Sequence, residues 1–113
     1  MKRGASEIVR EMRKAGYKML DALPGEKVFP ATVGNTTVYV KNTIKLSVSV
    51  HPDFELIAAS SSEARNVKVF KNSNQYGFPP HIPSTGELFG IGVDFETASS
   101  AISFLKEIER AAS

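Results

Sequence analysis

Between Val38 and Val50 the chain alternates. Val38, Val40, Ile44, Leu46, Val48 and Val50 share one parity, while Tyr39, Lys41, Thr43, Lys45, Ser47, Ser49 and then His51 take the other. Successive side chains of a strand point to opposite faces, so period two over this length means a half-buried β-structure and excludes a helix. One face is expected to meet a core. The other, polar and basic, is expected to meet solvent. Asn42 interrupts the apolar parity and reads as a bulge or tight turn that makes two strands from one run. Just upstream, Gly34-Asn35 between β-branched runs reads as a two-residue hairpin link.

The flanks are helical in pattern. Ile8, Met12, Ala15, Met19 and Leu23 recur at helical spacing, which predicts a first helix from a Ser6 cap to a stop at Pro24-Gly25. Gly16 then falls inside that helix, at a cost of about 1 kcal/mol against alanine. A last helix is expected after a Thr97 cap, with Ala98, Ala101, Ile102, Leu105, Ile108 and Ala112 as its buried stripe. Three further strands are expected. The first is the short apolar run 54–59. The second has Val67 and Val69 inward with Lys68 and Phe70 outward. The third has Phe89, Ile91, Val93 and Phe95 on one side and Gly90, Gly92 and Asp94 on the other. These elements predict an α+β fold: a two-layer sandwich in which an antiparallel sheet of about four to six strands carries the N-terminal and C-terminal helices on one face.

A length of 113 residues fits a single domain, 1–113, with room for a core. The absence of cysteine removes disulfides, thiolate nucleophiles and sulfur-based zinc sites. The basic N-terminus has no apolar stretch behind it, so no secretory signal is expected, and no apolar run nears the ~18 residues that span a bilayer. A soluble, cytoplasmic protein without membrane contact is expected. The net charge of +2 is too small to steer a partner unless the basic residues share a face.

Catalytic motifs are incomplete. Gly90-x-Gly92 lacks the third glycine and following helix of a dinucleotide loop, and Thr85-Gly86 lacks the lysine of a phosphate loop. Pro52-Asp53 resembles the start of a magnesium-dependent nuclease motif, but the later strand 66–71 has lysines without the carboxylate two residues earlier. Asp53, Glu55, Glu63 and Asp94 would have to converge in space instead. A metal-independent RNase reading takes His51 or His81 as base, with Lys45 or Lys68 for the phosphate. Turn formation for Pro52-Asp53 and an ordinary surface role for each histidine are the simpler readings. No cofactor and no metal are expected.

Segment 7–19, EIVREMRKAGYKM, resembles the first helix of small mRNA-cleaving toxins of the HicA type, and segment 48–56, VSVHPDFEL, resembles the strand and turn before their second helix. The Gly-Ser/Thr-His that carries their catalysis is absent here, so the resemblance assigns no residue a role.

Binding carries more support than catalysis. Segment 71–86 contains Tyr76, Phe78, His81 and Ile82 among Pro79, Pro80 and Pro83. So long a loop is uncommon in a small domain unless it works, proline stiffening lowers the entropy lost on docking, and aromatics are frequent interface anchors. The polar sheet face offers Tyr39, Lys41, Lys45 and Lys68, a mixture of rings and cations that suits single-stranded nucleic acid. The leading expectation is a non-catalytic module whose partner is a protein, an adaptor or inhibitor acting through the loop. The alternative is binding of single-stranded RNA or DNA, with a small nuclease third.

Overall fold

The computed structural model describes residues 1–21, 25–69 and 90–112. Its elements are α1 (Arg3–Lys14), β1 (Lys18–Met19), β2 (Val28–Val33), β3 (Thr36–Lys41), β4 (Leu46–Val50), a 3₁₀ turn (Pro52–Phe54), α2 (Glu55–Ser60), β5 (Asn66–Val69), β6 (Ile91–Phe95) and α3 (Ala98–Ala111). The strands form one antiparallel sheet in the order β1-β2-β3-β4-β6-β5. Helices α1 and α3 contact each other and the sheet. The α+β sandwich expected from the alternation is therefore the fold.

The alternation builds the core. Val38, Val40, Val48, Val50, Ile91 and Val93 are fully buried and join Ile8 and Met12 of α1 with Phe104, Leu105 and Ile108 of α3 in one cluster. The Phe95 and Phe104 rings lie 5.4 Å apart, tilted by 50°. The hairpin forms where Gly34-Asn35 predicts it, with Val33 opposite Thr36. Gly34 has φ +59 while Asn35 is not left-handed, the sign pattern of a type II′ turn. Thr97 caps α3, its hydroxyl accepting from Ser100 N at 3.0 Å. Asn42 divides β3 from β4 as expected.

Four expectations are corrected. The first helix stops at Lys14, and Met19 belongs to a strand. Gly16, with φ +92, is the stop and not an interior defect: Gly16 N donates to Arg13 O at 3.1 Å and Tyr17 N to Met12 O at 3.0 Å, the paired bonds of a Schellman cap. Leu23 and Pro24 lie outside the described residues. The run 54–59 is helical rather than extended. A short apolar run has no period of its own, and here Pro52 and a cap from His51 set helical geometry before it. Ile44 is 72 % exposed because it sits in the turn between β3 and β4, where strand parity no longer applies, and Leu46 is half-buried. Finally, Val67 and Val69 hold the expected parity but stay 38 % and 48 % exposed on β5, at one end of the described strand order.

Tyr17 ties the end of α1 to α3, its hydroxyl donating to Glu109 Oε1 at 2.8 Å. Burial first, then the hydrogen bond to Glu109 and its charge, push the phenol up to about 12, with Arg110 opposing. Above pH ~10 the unfolded chain gives up this proton while the folded one keeps it, so stability should fall as pH rises from about 10 to about 12. Tyr17→Phe should cost about 0.5–1.5 kcal/mol at neutral pH and flatten that alkaline slope. Part of the slope should remain, because burial raises the Tyr39 phenol too. Urea unfolding at pH 8, 10 and 11 checks both effects, and an unchanged slope would remove the bond from the account.

Candidate functional site

The registers that build the core also set the second face of the sheet. Tyr39 is opposite Ser49, Ser49 opposite Gly92, and Gly92 opposite Lys68, so these four make one row across β3, β4, β6 and β5. The next row runs from Ser47 to Asp94 to Asn66, and the β3–β4 register carries Lys41 to its other end.

This face is not the open surface that the alternation predicts. Tyr39 is 9 % exposed, Lys41 8 %, and Ser47 and Ser49 3 % each, while Lys68 and Asn66 at its margin are exposed. Alternation fixes which side chains share a face and leaves open whether that face meets water. Burial lowers the pKa of the Lys41 ammonium. Asp94 opposes that shift and Lys68 adds to it. Burial likewise raises the Tyr39 phenol. Ser47 Oγ is buried without a hydrogen-bond partner among the described residues.

A buried lysine, two buried serine hydroxyls and a carboxylate in adjacent rows form a polar cluster inside the sheet layer. A serine nucleophile needs a base within hydrogen-bond reach, and Ser47 has no such bond among the described residues. The cluster is chemically suited to holding a polar or anionic group against Lys41, and less to attacking one. Ser47 is absent from the candidates that the sequence offers, and Asp94 is among them only as a carboxylate for a magnesium site, not as a neighbour of Lys41. Ser47 shares parity with Lys41 in the 38–50 alternation, whereas only the register of β4 with β6 brings Asp94 beside it.

The other candidates scatter. Lys45 is exposed in the turn before β4 and lines a cleft of about 300 Å³ that shares Asn66 and Asp94 with the polar row and adds Arg65 and Glu96. Arg65 and Glu96 pair there at 3.7 Å, both well exposed, a contact worth at most about 1 kcal/mol. His51 serves structure: its Nδ1 accepts from Asp53 N at 3.0 Å at the head of the 3₁₀ turn, with the Asp53 carboxylate 3.4 Å from the same nitrogen. Tyr76, Phe78, His81 and Ile82, with Phe70 and Phe89, lie outside the described residues. No group of three His, Asp or Glu side chains among the described residues is placed to hold a metal ion, and Asp53, Glu55, Glu63 and Asp94 do not form one. No described helix is long and apolar enough to cross a membrane. Comparison with protein-family models, with curated proteins and with solved structures finds no match, and so lends nothing to the toxin resemblance of segments 7–19 and 48–56.

Proposed function

We propose that the protein is a non-catalytic interaction module that binds a protein partner along the β5 margin of the sheet, together with loop 71–86. The observation that carries this reading is the apolar exposure there. Val67 and Val69 are 38 % and 48 % exposed on β5, and α2, which packs beside β5, carries Leu56 at 82 %. Strands at the limit of a sheet are ordinarily protected by charge or cover, and β5 has Lys68 alone between its two valines. The chain leaves β5 directly into the segment that holds Tyr76, Phe78 and Ile82. Apolar strip and aromatic loop are thus adjacent along the chain, and exposed apolar clusters mark contact surfaces more often than they mark accidents. Nucleic-acid binding has less support, because Tyr39 and Lys41 are buried and the exposed cations Lys45 and Lys68 stand in different surroundings.

The test is capture of a partner from nuclease-treated host extract, followed by titration of the purified partner against Val67→Ser/Val69→Ser and Tyr76→Ala/Phe78→Ala. Each pair should weaken binding by roughly five- to a hundred-fold while leaving the melting curve nearly unchanged. Two outcomes would sink the reading: capture abolished by nuclease treatment, or folded variants that bind like the wild type.

A further inference from the structure

The small net charge of +2 hides an uneven division. Six of the fourteen Lys and Arg residues fall within residues 2–18, with two of the twelve carboxylates, so that segment carries +4 and residues 19–113 carry −2. Helix α1 then sorts those charges onto one side. At about 100° per residue, the buried Gly4, Ala5, Ile8, Val9 and Met12 take the inner side. Arg13, Arg10, Arg3 and Lys14 follow one another around the outer side within an arc of about 100°, which they share with Ser6 alone. Glu7 and Glu11 lie beyond one border of that arc, and no carboxylate lies inside it. All four cations are exposed, as are Lys2 at the cap and Lys18 at the start of β1.

Helix stability accounts for only part of this. Arg13 and Lys14, in the last turn, suit the negative end of the helix. Lys2 and Arg3 stand at the positive end, where a cation is unfavourable, and the first turn has no acidic side chain to offset them. The bordering carboxylates do not cancel the field. Glu7 lies 3.5 Å from Arg3, and Glu11 lies 3.6 Å from Lys14 and 4.0 Å from Arg10, in solvent-facing pairs that a stronger anion can displace. Arg13 makes no ion pair among the described residues.

We propose that this face of α1 binds the phosphate backbone of a double-helical nucleic acid, without reading its sequence. Charge complementarity names the partner. Arg3 and Lys14 stand about 16 Å apart along the helix axis, and a duplex carries one phosphate per ~1.7 Å of its own axis, so several phosphates meet the cations at once. Other partners fit less well. Single strands are held by stacked rings as well as charge, and the arc has no ring. A helix that lies on a membrane needs apolar side chains beside its cations, and the arc has none of those either. Helix α1 contacts β1, β3 and β4, whereas α2 contacts β5 and β6, so this surface is separate from the β5 margin and does not rest on the reading given to it.

The experiment is fluorescence anisotropy of a labelled DNA duplex, an RNA duplex and a single strand titrated with the full chain, from about 50 to 200 mM salt. At least one duplex should bind more tightly than the single strand. Its affinity should fall roughly a hundred-fold over that range, the slope of about four phosphate contacts. The tighter duplex then tells DNA from RNA. Arg10→Ala/Arg13→Ala should weaken binding about tenfold or more at low salt and cut the slope by about two, and Arg10→Lys/Arg13→Lys should restore the slope. Alanine suits an exposed helix position, so the double-alanine protein should melt close to the wild type. Glu7→Gln/Glu11→Gln should tighten binding, and Lys68→Ala on β5 should leave it unchanged. Binding that is absent or indifferent to salt, an unaltered slope in folded Arg10→Ala/Arg13→Ala, a single strand bound as tightly as either duplex, or equal binding of polyglutamate or anionic lipid vesicles would each overturn the proposal.

Discussion

Phe104→Ala should be the most damaging truncation among the described residues, lowering stability by about 3–5 kcal/mol. Among the described residues Phe104 is the largest of the fully buried side chains, its ring lies 5.4 Å from that of Phe95, and it stands where α3 meets both the sheet and α1. Its removal forfeits transfer energy and leaves a cavity between layers that two helices and a sheet hold apart. For a domain of this size the midpoint of thermal unfolding should drop by on the order of 15 °C. Phe104→Leu should cost clearly less, because most of the volume is kept. Urea unfolding decides the matter: a loss below about 1 kcal/mol, with an unchanged denaturant slope, would mean that the ring does not fill the centre of the core.

Gly4→Ala should destabilise by about 1–3 kcal/mol or more, although alanine is the better helix former. Gly4 is buried in the first turn of α1. A β-carbon there would overlap the carbonyl oxygens of Lys45 and Ile44. Those are backbone atoms, held in a turn where Thr43 Oγ1 donates to Lys45 O at 2.8 Å and Ala5 N donates to Thr43 O at 3.3 Å. No rotamer change relieves such a clash, so the helix or the turn must move. The sign is the test. Relief of the ordinary glycine penalty would raise stability by up to about 1 kcal/mol, and a stabilised Gly4→Ala protein would disprove the close approach.

How much of this could be read from the chain divides by physical cause. Strand parity was legible because it is local and its period is short: Val38, Val40, Val48 and Val50 fall where it puts them. The Gly34-Asn35 turn and the Thr97 cap were legible because one residue type at one place satisfies the geometry. The stripe of α3 was legible only to within a rotation. Ile102 was expected inside and Phe104 was not, but Phe104 is fully buried and Ile102 sits half-exposed at the rim. Both choices satisfy helical spacing, and only packing against β6 and α1 selects between them. Gly16 was misread because an interior glycine and a capping glycine look alike until the backbone angle is known. The polar cluster was the least legible feature. Lys41, Ser47 and Asp94 come from three strands, and the burial of Lys41 is a tertiary fact with no local trace.

The strand order has a temporal consequence. Strand β4, central in the sheet, pairs on one side with β3, its neighbour in sequence, and on the other with β6, some forty residues later. A ribosome adding about 5–20 residues per second therefore leaves the outer edge of β4, with Val48 and Val50, without its native neighbour for roughly 2–8 s. During that interval the hairpin β2–β3 can close at once, while Ile8 and Met12 of α1 still await Phe104, Leu105 and Ile108 of α3. An unpaired, valine-rich edge is the template on which chains join one another. Crowding of nascent copies during that interval therefore favours their association, and slow translation between β4 and β6 would lengthen the exposure.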